Sequence, residues 1–192
     1  MDIRLAKKML RKEVLQKRDS LSKEEWNRKS DQIQKKLQSL EEVSSAKNIF
    51  IFINFRSEVD TRPIIEFLLS KNKNVIVPYT DIENKRLRLF YLNNFSELKS
   101  GSFGILEPDP KIAKEAALED VDLVIMPGSV FDLKGGRIGY GGGFYDRLLP
   151  SLRPDVKTIA IAFELQIVDE VPMGYYDRRV NLIVTEDRII RL

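Results

Sequence analysis

The 192-residue sequence contains neither cysteine nor histidine. Lack of cysteine excludes disulfides, thiolate nucleophiles and cysteine metal sites, and is consistent with a reducing compartment. Lack of histidine excludes an imidazole general base, a histidine-based triad and nearly every zinc enzyme site. Any catalysis must therefore rest on carboxylates, Lys, Arg, Tyr, backbone amides or a hard, oxygen-loving metal such as Mg²⁺. Long apolar runs are missing as well, since nothing approaches the about 20 residues that cross a bilayer. The opening "MDIRLAKKMLRKEV" has no apolar signal core, so a cytoplasmic protein without a membrane partner is expected. Neither charge sign dominates: the net +3 suits an anionic ligand but equally describes a solvated surface.

Glycine is scarce too, at ten residues, yet six of them fall in the nine positions 135–143 of "GGRIGYGGGFYDR". The surrounding pattern places that cluster. The first forty residues predict two charged helices. Ile3, Ala6, Leu10 and Val14 form an apolar stripe in the first, with Lys7 and Arg11 beside it. The second opens on a capping box, Ser22 and Glu25, and offers Trp26, Ile33 and Leu37 to a core. Beyond residue 47, strand-like runs at 48–54, 74–79, 87–92, 122–127, 157–163 and 181–186 alternate with helical stretches near 63–70 and 111–120. A terminal hairpin closes the chain. No linker, repeat or low-complexity tract divides the sequence, so residues 1–192 read as one domain. The expectation is a layered, Rossmann-like α/β fold, its largely parallel sheet flanked by helices and preceded by a two-helix N-terminal arm.

In such folds ligands bind beyond the carboxyl ends of strands, where the glycine cluster sits, after strand 122–127 and before a short helix. Glycine lets backbone N–H groups close on an anion without an intervening Cβ. Arg137 at the entrance supplies a fork for phosphate oxygens. Asp146 at the exit could hold a metal ion bridging them. The cluster matches neither GxxxxGK[ST] nor GxGxxG, because Phe144 stands where the last glycine would fall. A hairpin whose glycines serve turn geometry alone is the plain alternative. Arg-Gly-Gly RNA-binding segments share the composition but are repeated and disordered, whereas this cluster is single and enclosed by strands, so no nucleic-acid partner is expected.

"PGSVFDLKGGRIGYGGGFYDRLL" resembles the signature of the 5-formyltetrahydrofolate cyclo-ligases, or 5,10-methenyltetrahydrofolate synthetases. Lys7 to Arg11 ("KKMLR"), "SEVDT" at 57–61, "GILEP" at 104–108, "AFELQIVDEVP" and "IVTE" at 183–186 resemble further family blocks, in order along nearly the whole chain. The resemblance implies a ligase that uses ATP and Mg²⁺ to convert 5-formyltetrahydrofolate, with or without a polyglutamate tail, into the 5,10-methenyl compound, releasing ADP and phosphate. The formyl oxygen would be phosphorylated and so become a good leaving group when N10 closes the ring. No protein nucleophile is required, and positioning and charge stabilisation suffice.

Carried onto this chain, the resemblance places ATP against Lys7, Lys8, Met9, Leu10 and Arg11 and against Arg137, Ile138, Gly139, Tyr140, Gly141, Gly142, Gly143, Phe144 and Tyr145. It places the folate against Ile53, Glu58 and the stretch Tyr140, Gly141, Gly142, Gly143 and Phe144, and Mg²⁺ on Asp146 and Asp177. Arg137 and Tyr145 are the catalytic candidates, acting in a monomer. One segment departs from the pattern. "PMGYYD" stands where relatives have Pro-x-Glu-x-His-Asp, so Gly174 and Tyr176 replace an acid and an imidazole. A phosphate-sugar or CoA-handling enzyme on a related scaffold, and a non-catalytic folate- or nucleotide-binding protein, are the alternatives.

Overall fold

The computed structural model describes residues 2–192. Among the described residues five α-helices and twelve strands follow in the order α1 (Ile3–Asp19), α2 (Lys23–Gln38), α3 (Glu41–Ser45), β1 (Asn48–Ile51), α4 (Arg62–Ser70), β2 (Asn74–Asp81), β3 (Arg86–Leu92), β4 (Lys99–Ser100), β5 (Leu106–Glu107), β6 (Leu123–Met126), β7 (Val130–Asp132), β8 (Arg137–Ile138), α5 (Phe144–Leu148), β9 (Lys157–Ile161), β10 (Ile167–Val168), β11 (Leu182–Val184) and β12 (Ile189–Arg191). The expected α/β class is borne out by a seven-stranded sheet in the order β12-β11-β9-β6-β1-β2-β3. Its five inner strands run parallel, and antiparallel β3 and β12 close the edges.

Why the strands read as continuous apolar runs is visible along β1. Ile49 and Ile51 enter a core shared with Ile33 and Leu37 of α2 and Ile64, Ile65 and Leu68 of α4. Phe50 points the other way, into a second core with Ile76, Val124, Met126 and Leu148. Period-two alternation buries both faces, as parallel sheets require. Helix α2 starts at the capping box: Ser22 Oγ accepts from Glu25 N–H, and the Glu25 carboxylate accepts from Ser22 N–H. Ile33 and Leu37 are buried as expected, while Trp26 donates its indole N–H to Glu58 O at 2.8 Å, tying α2 to the loop after β1.

Three local expectations are corrected. Residues 111–120 form no α-helix; only Leu118–Asp120 makes a 3₁₀ turn. The sheet's open edge takes the backbone instead. Tyr91 N–H donates to Lys114 O, Ala116 N–H donates to Leu89 O, and Arg88 forks onto Glu115 at 2.8 Å. Satisfying an edge strand outweighed the helical propensity of the segment. The apolar stripe of α1 is also displaced, since Ile3 is exposed and only Leu10 and Val14 reach a core.

Third, "GSVFDLK", which reads in sequence as a short spacer between strand 122–127 and the glycine cluster, contains β7. β7 forms a hairpin with β8, extended by β10. Its turn is held by Asp132, fully buried, whose carboxylate accepts from the N–H groups of Lys134, Gly136 and Val171, each at 2.8 Å. Helix α1 packs on this hairpin through Val14 against Val130, Ile138 and Val171. Asp132 is accordingly structural. Asp132→Ala should lower stability by about 3 kcal/mol, because several buried N–H groups lose their acceptor. Denaturant titration against the parent chain measures that loss.

Candidate active site

From β1 the chain winds one way to β2 and then reverses to β6, β9 and β11 on the other side. The reversal creates a crevice beyond the carboxyl ends of β1 and β6. A cavity of about 900 Å³ occupies that position, floored by Phe52 and Ile53 after β1 and by Pro127 after β6. Its walls are α1, the loop 55–58 and the glycine cluster.

The cluster divides by task. Gly136 belongs to the β7–β8 turn, where a Cβ would lie 2.5 Å from an Asp132 carboxylate oxygen. Residues 139–143 form the cavity wall, with the backbone turned to φ +100° at Gly141, a conformation glycine adopts without strain. The backbone N–H groups of Tyr140 to Phe144 donate to no acceptor among the described residues. Curled N–H groups without acceptors at a cavity wall form an anion receptor.

Cations surround that receptor. Arg137 is 4 % exposed, donates to Pro127 O at 3.2 Å and Asp146 Oδ1 at 3.0 Å, and leaves its buried Nε unpartnered. On α1, Arg11 Nε donates to Gly139 O at 2.9 Å, and Lys7 is ion-paired to Asp177. Helical geometry explains which residues of 7–11 reach the cavity. At about 100° per residue, Lys7 and Arg11 share a face while Lys8 and Met9 turn to solvent. Lys8 and Met9 are exposed and outside the cavity wall, and Leu10 packs beneath α1.

The two candidate metal carboxylates come together at the cavity. Asp146 Oδ1 accepts from the N–H of Arg178, the residue after Asp177, at 3.3 Å. No cluster of three His, Cys, Asp or Glu occurs among the described residues. Two carboxylates beside an anion receptor nonetheless match Mg²⁺, which keeps waters and phosphate oxygens and takes only one or two protein ligands.

Glu58 also lines the cavity; it is buried at 8 % exposure and accepts from Phe55 N–H at 2.7 Å. Burial pushes its carboxyl above the usual range, against the opposing pull of the Tyr140 hydroxyl, Phe55 N–H and Arg18. Tyr145 stacks on Phe50 with ring centroids 6.1 Å apart, and burial raises its phenol, so it stays protonated. Ile53, Ile138, Phe144 and the candidates of the loop all line the cavity.

A model of the 5-formyltetrahydrofolate cyclo-ligase family matches residues 4–186. The chain belongs to that family. Among relatives, the 5-formyltetrahydrofolate cyclo-ligase of Haemophilus influenzae is 30 % identical over 174 residues, 89 % of this chain and 92 % of its own length. That of Mus musculus is 31 % identical over 191 residues, covering 95 % and 94 %. The 5,10-methenyltetrahydrofolate synthetase of Aquifex aeolicus, solved by NMR, superposes with a TM-score of 0.85 at 35 % identity, over 97 % of this chain and 92 % of that one.

Within this cyclo-ligase, the departure at 174–177 leaves Asp177 seated. Gly174 donates its N–H to the Asp177 carboxylate, Asp177 N–H returns to Gly174 O, and Lys7 pairs with the same carboxylate. Tyr175 and Tyr176 project into solvent. Sequence reasoning missed Arg4 and Arg18, which also line the cavity. Their spacing from Lys7 and Arg11 on one helix carried the signal: residues 4, 7, 11 and 18 fall within one broad face.

Proposed function

We propose that this chain is an ATP-dependent ligase that closes 5-formyltetrahydrofolate to 5,10-methenyltetrahydrofolate, with both substrates meeting over residues 139–143. Membership of the cyclo-ligase family supports the reaction. The observation that carries the site is the run of acceptor-free N–H groups from Tyr140 to Phe144, on the wall of a cavity that buried Glu58 also lines.

Each residue has a task its surroundings suit. Lys7 and Arg11, from α1, and Arg137, from beneath the loop, place positive charge around the triphosphate. The N–H groups of 140–144 hold its terminal oxygens in line with the formyl oxygen. Asp146 and Asp177 would hold Mg²⁺, which when bound neutralises charge shared by the phosphoryl oxygens. Glu58 accepts the amino and ring N–H donors of the pterin. Ile53, Phe144 and Tyr145 supply apolar walls that exclude water, and Tyr145 keeps its proton beside Arg137. Phosphorylation turns the formyl oxygen into a leaving group, which is why a cavity without histidine or cysteine suffices.

The test mixes purified protein, MgATP and 5-formyltetrahydrofolate and follows methenyl absorbance with phosphate release. Equal rates of both are expected. Phosphate release without methenyl product, or folate binding without either, would overturn the proposal. Lys7→Gln combined with Arg11→Gln should raise the KM for ATP by about 10–100-fold, as expected for two charge-assisted contacts. The same variant should melt within about 5 °C of the parent, since the pair lies outside the apolar cores. A fall in Tm typical of a core mutation would make these residues structural.

A further inference from the structure

We infer that Arg18 determines specificity for the substrate ring: its free guanidinium edge donates to the 4-oxo oxygen of the pterin while Glu58 accepts the adjoining N–H donors. The inference rests on the folate placement proposed above and extends it to a residue outside the family motifs.

Arg18 sits in the last turn of α1, 4 % exposed, on the cavity wall. Its Nε donates to Ser57 Oγ at 3.0 Å, and Ser57 in turn donates to Asp19. Its Nη1 donates to the Tyr140 hydroxyl at 2.7 Å. Its Nη2 makes no hydrogen bond, and Arg18 forms no ion pair, among the described residues. A guanidinium held in one orientation from two sides, with its remaining edge open to the cavity and no carboxylate at ion-pair distance, is preorganised to donate to an acceptor bound there.

Glu58 is placed beside it. The Tyr140 hydroxyl accepts from Arg18 and donates to Gly128 O at 3.4 Å, and Tyr140 and Arg18 both act on the Glu58 carboxyl, which places the three side chains together. Glu58 Oε2 already accepts from Phe55 N–H. A carboxylate offers about four lone-pair sites, so it retains capacity for ring donors. A 2-amino-4-oxo ring presents two donors, the amino group and N3–H, followed directly by one acceptor, the 4-oxo oxygen. A carboxylate with a guanidinium next to it complements that order, whereas the carboxylate alone reads only the donors. Arg18 therefore adds recognition of the 4-oxo oxygen to that of the donors Glu58 reads.

The experiment compares binding of 5-formyltetrahydrofolate with binding of its analogue carrying sulfur in place of the 4-oxygen, which keeps the 2-amino and N3–H donors that Glu58 reads and weakens only the acceptor, at a pH where both rings are neutral. The parent protein should favour the 4-oxo compound by about 10-fold, because sulfur is a weak acceptor for the guanidinium. Arg18→Met should shrink that preference to within about twofold. Arg18→Lys, which keeps the charge but loses the fork, should fall between them, and it carries the comparison should the methionine variant not fold. If Arg18→Met and Arg18→Lys weaken both compounds equally and the preference persists, Arg18 merely ties α1 to the loops and the inference fails. Glu58→Gln separates the two levels. Unchanged affinity for the 4-oxo compound in that variant would remove the folate placement itself, whatever Arg18 does.

Discussion

Arg137→Ala is expected to lower kcat/KM for ATP by about 10²–10³-fold, the usual loss when a preorganised charge facing the reacting group is removed. The KM for folate should change little. Arg137 is nearly inaccessible, spans from Pro127 O to Asp146, and keeps one buried N–H without a partner. That orphan is a cost unless the bound triphosphate relieves it. Truncation also leaves Asp146 without its cation, and breaking a buried pair from one side costs about 3–5 kcal/mol. Arg137→Lys resolves the two effects. It should recover most of the lost Tm but little of the activity, because an ammonium cannot occupy Pro127, Asp146 and a phosphate in one plane. Full recovery of ATP use by lysine would reduce Arg137 to a point charge. A loss confined to folate affinity would mean that the loop is divided between the substrates differently.

The second large effect lies in the same cavity. Glu58→Gln should lower kcat/KM for folate by about 10²-fold or more, since a cavity built to accept ring N–H groups would now present an amide donor to one of them. Binding needs the carboxylate ionised, and burial has raised its pKa. The acid limb of kcat/KM for folate should therefore fall at a pH above that of an ordinary carboxylate, and this limb should vanish in Glu58→Gln. Stability must move oppositely. With the folded-state pKa above the unfolded one, the native chain binds the extra proton between the two values, so stability declines as pH rises through that window and levels off beyond the raised pKa. Subtracting the Glu58→Gln Tm-against-pH curve from that of the parent isolates this term. A difference that grew with rising pH would contradict the burial assigned to Glu58.

What could be read without coordinates followed the strength of local patterning. β1, β2, β3, β6, β9 and β11 coincide with apolar runs because burial on both sheet faces leaves little room for polar residues. The Ser22–Glu25 box marks α2 because the cap chemistry is local. Segment 111–120 was misjudged because its partner is the edge of β3, some twenty residues earlier, which no local window contains. β7 and β8 escaped notice for a related reason. At three and two residues they are too short for alternation to register, and Asp132, which joins their turn to Val171, acts across nearly forty positions. In the cavity, glycine density and flanking charge made 137–146 conspicuous. The signal of Arg18, its place on the helix face of Lys7 and Arg11, is diluted in a helix where basic residues are common, and its burial against Ser57 and Tyr140 makes it stand out.

A crystal structure grown with a non-hydrolysable ATP analogue, Mg²⁺ and 5-formyltetrahydrofolate interrogates the shared cavity most directly. The terminal phosphate should accept from the N–H groups of 140–144, with the formyl oxygen directed at it and the pterin edge on Glu58. Density placing the triphosphate away from those N–H groups, or the pterin away from Glu58, would contradict it.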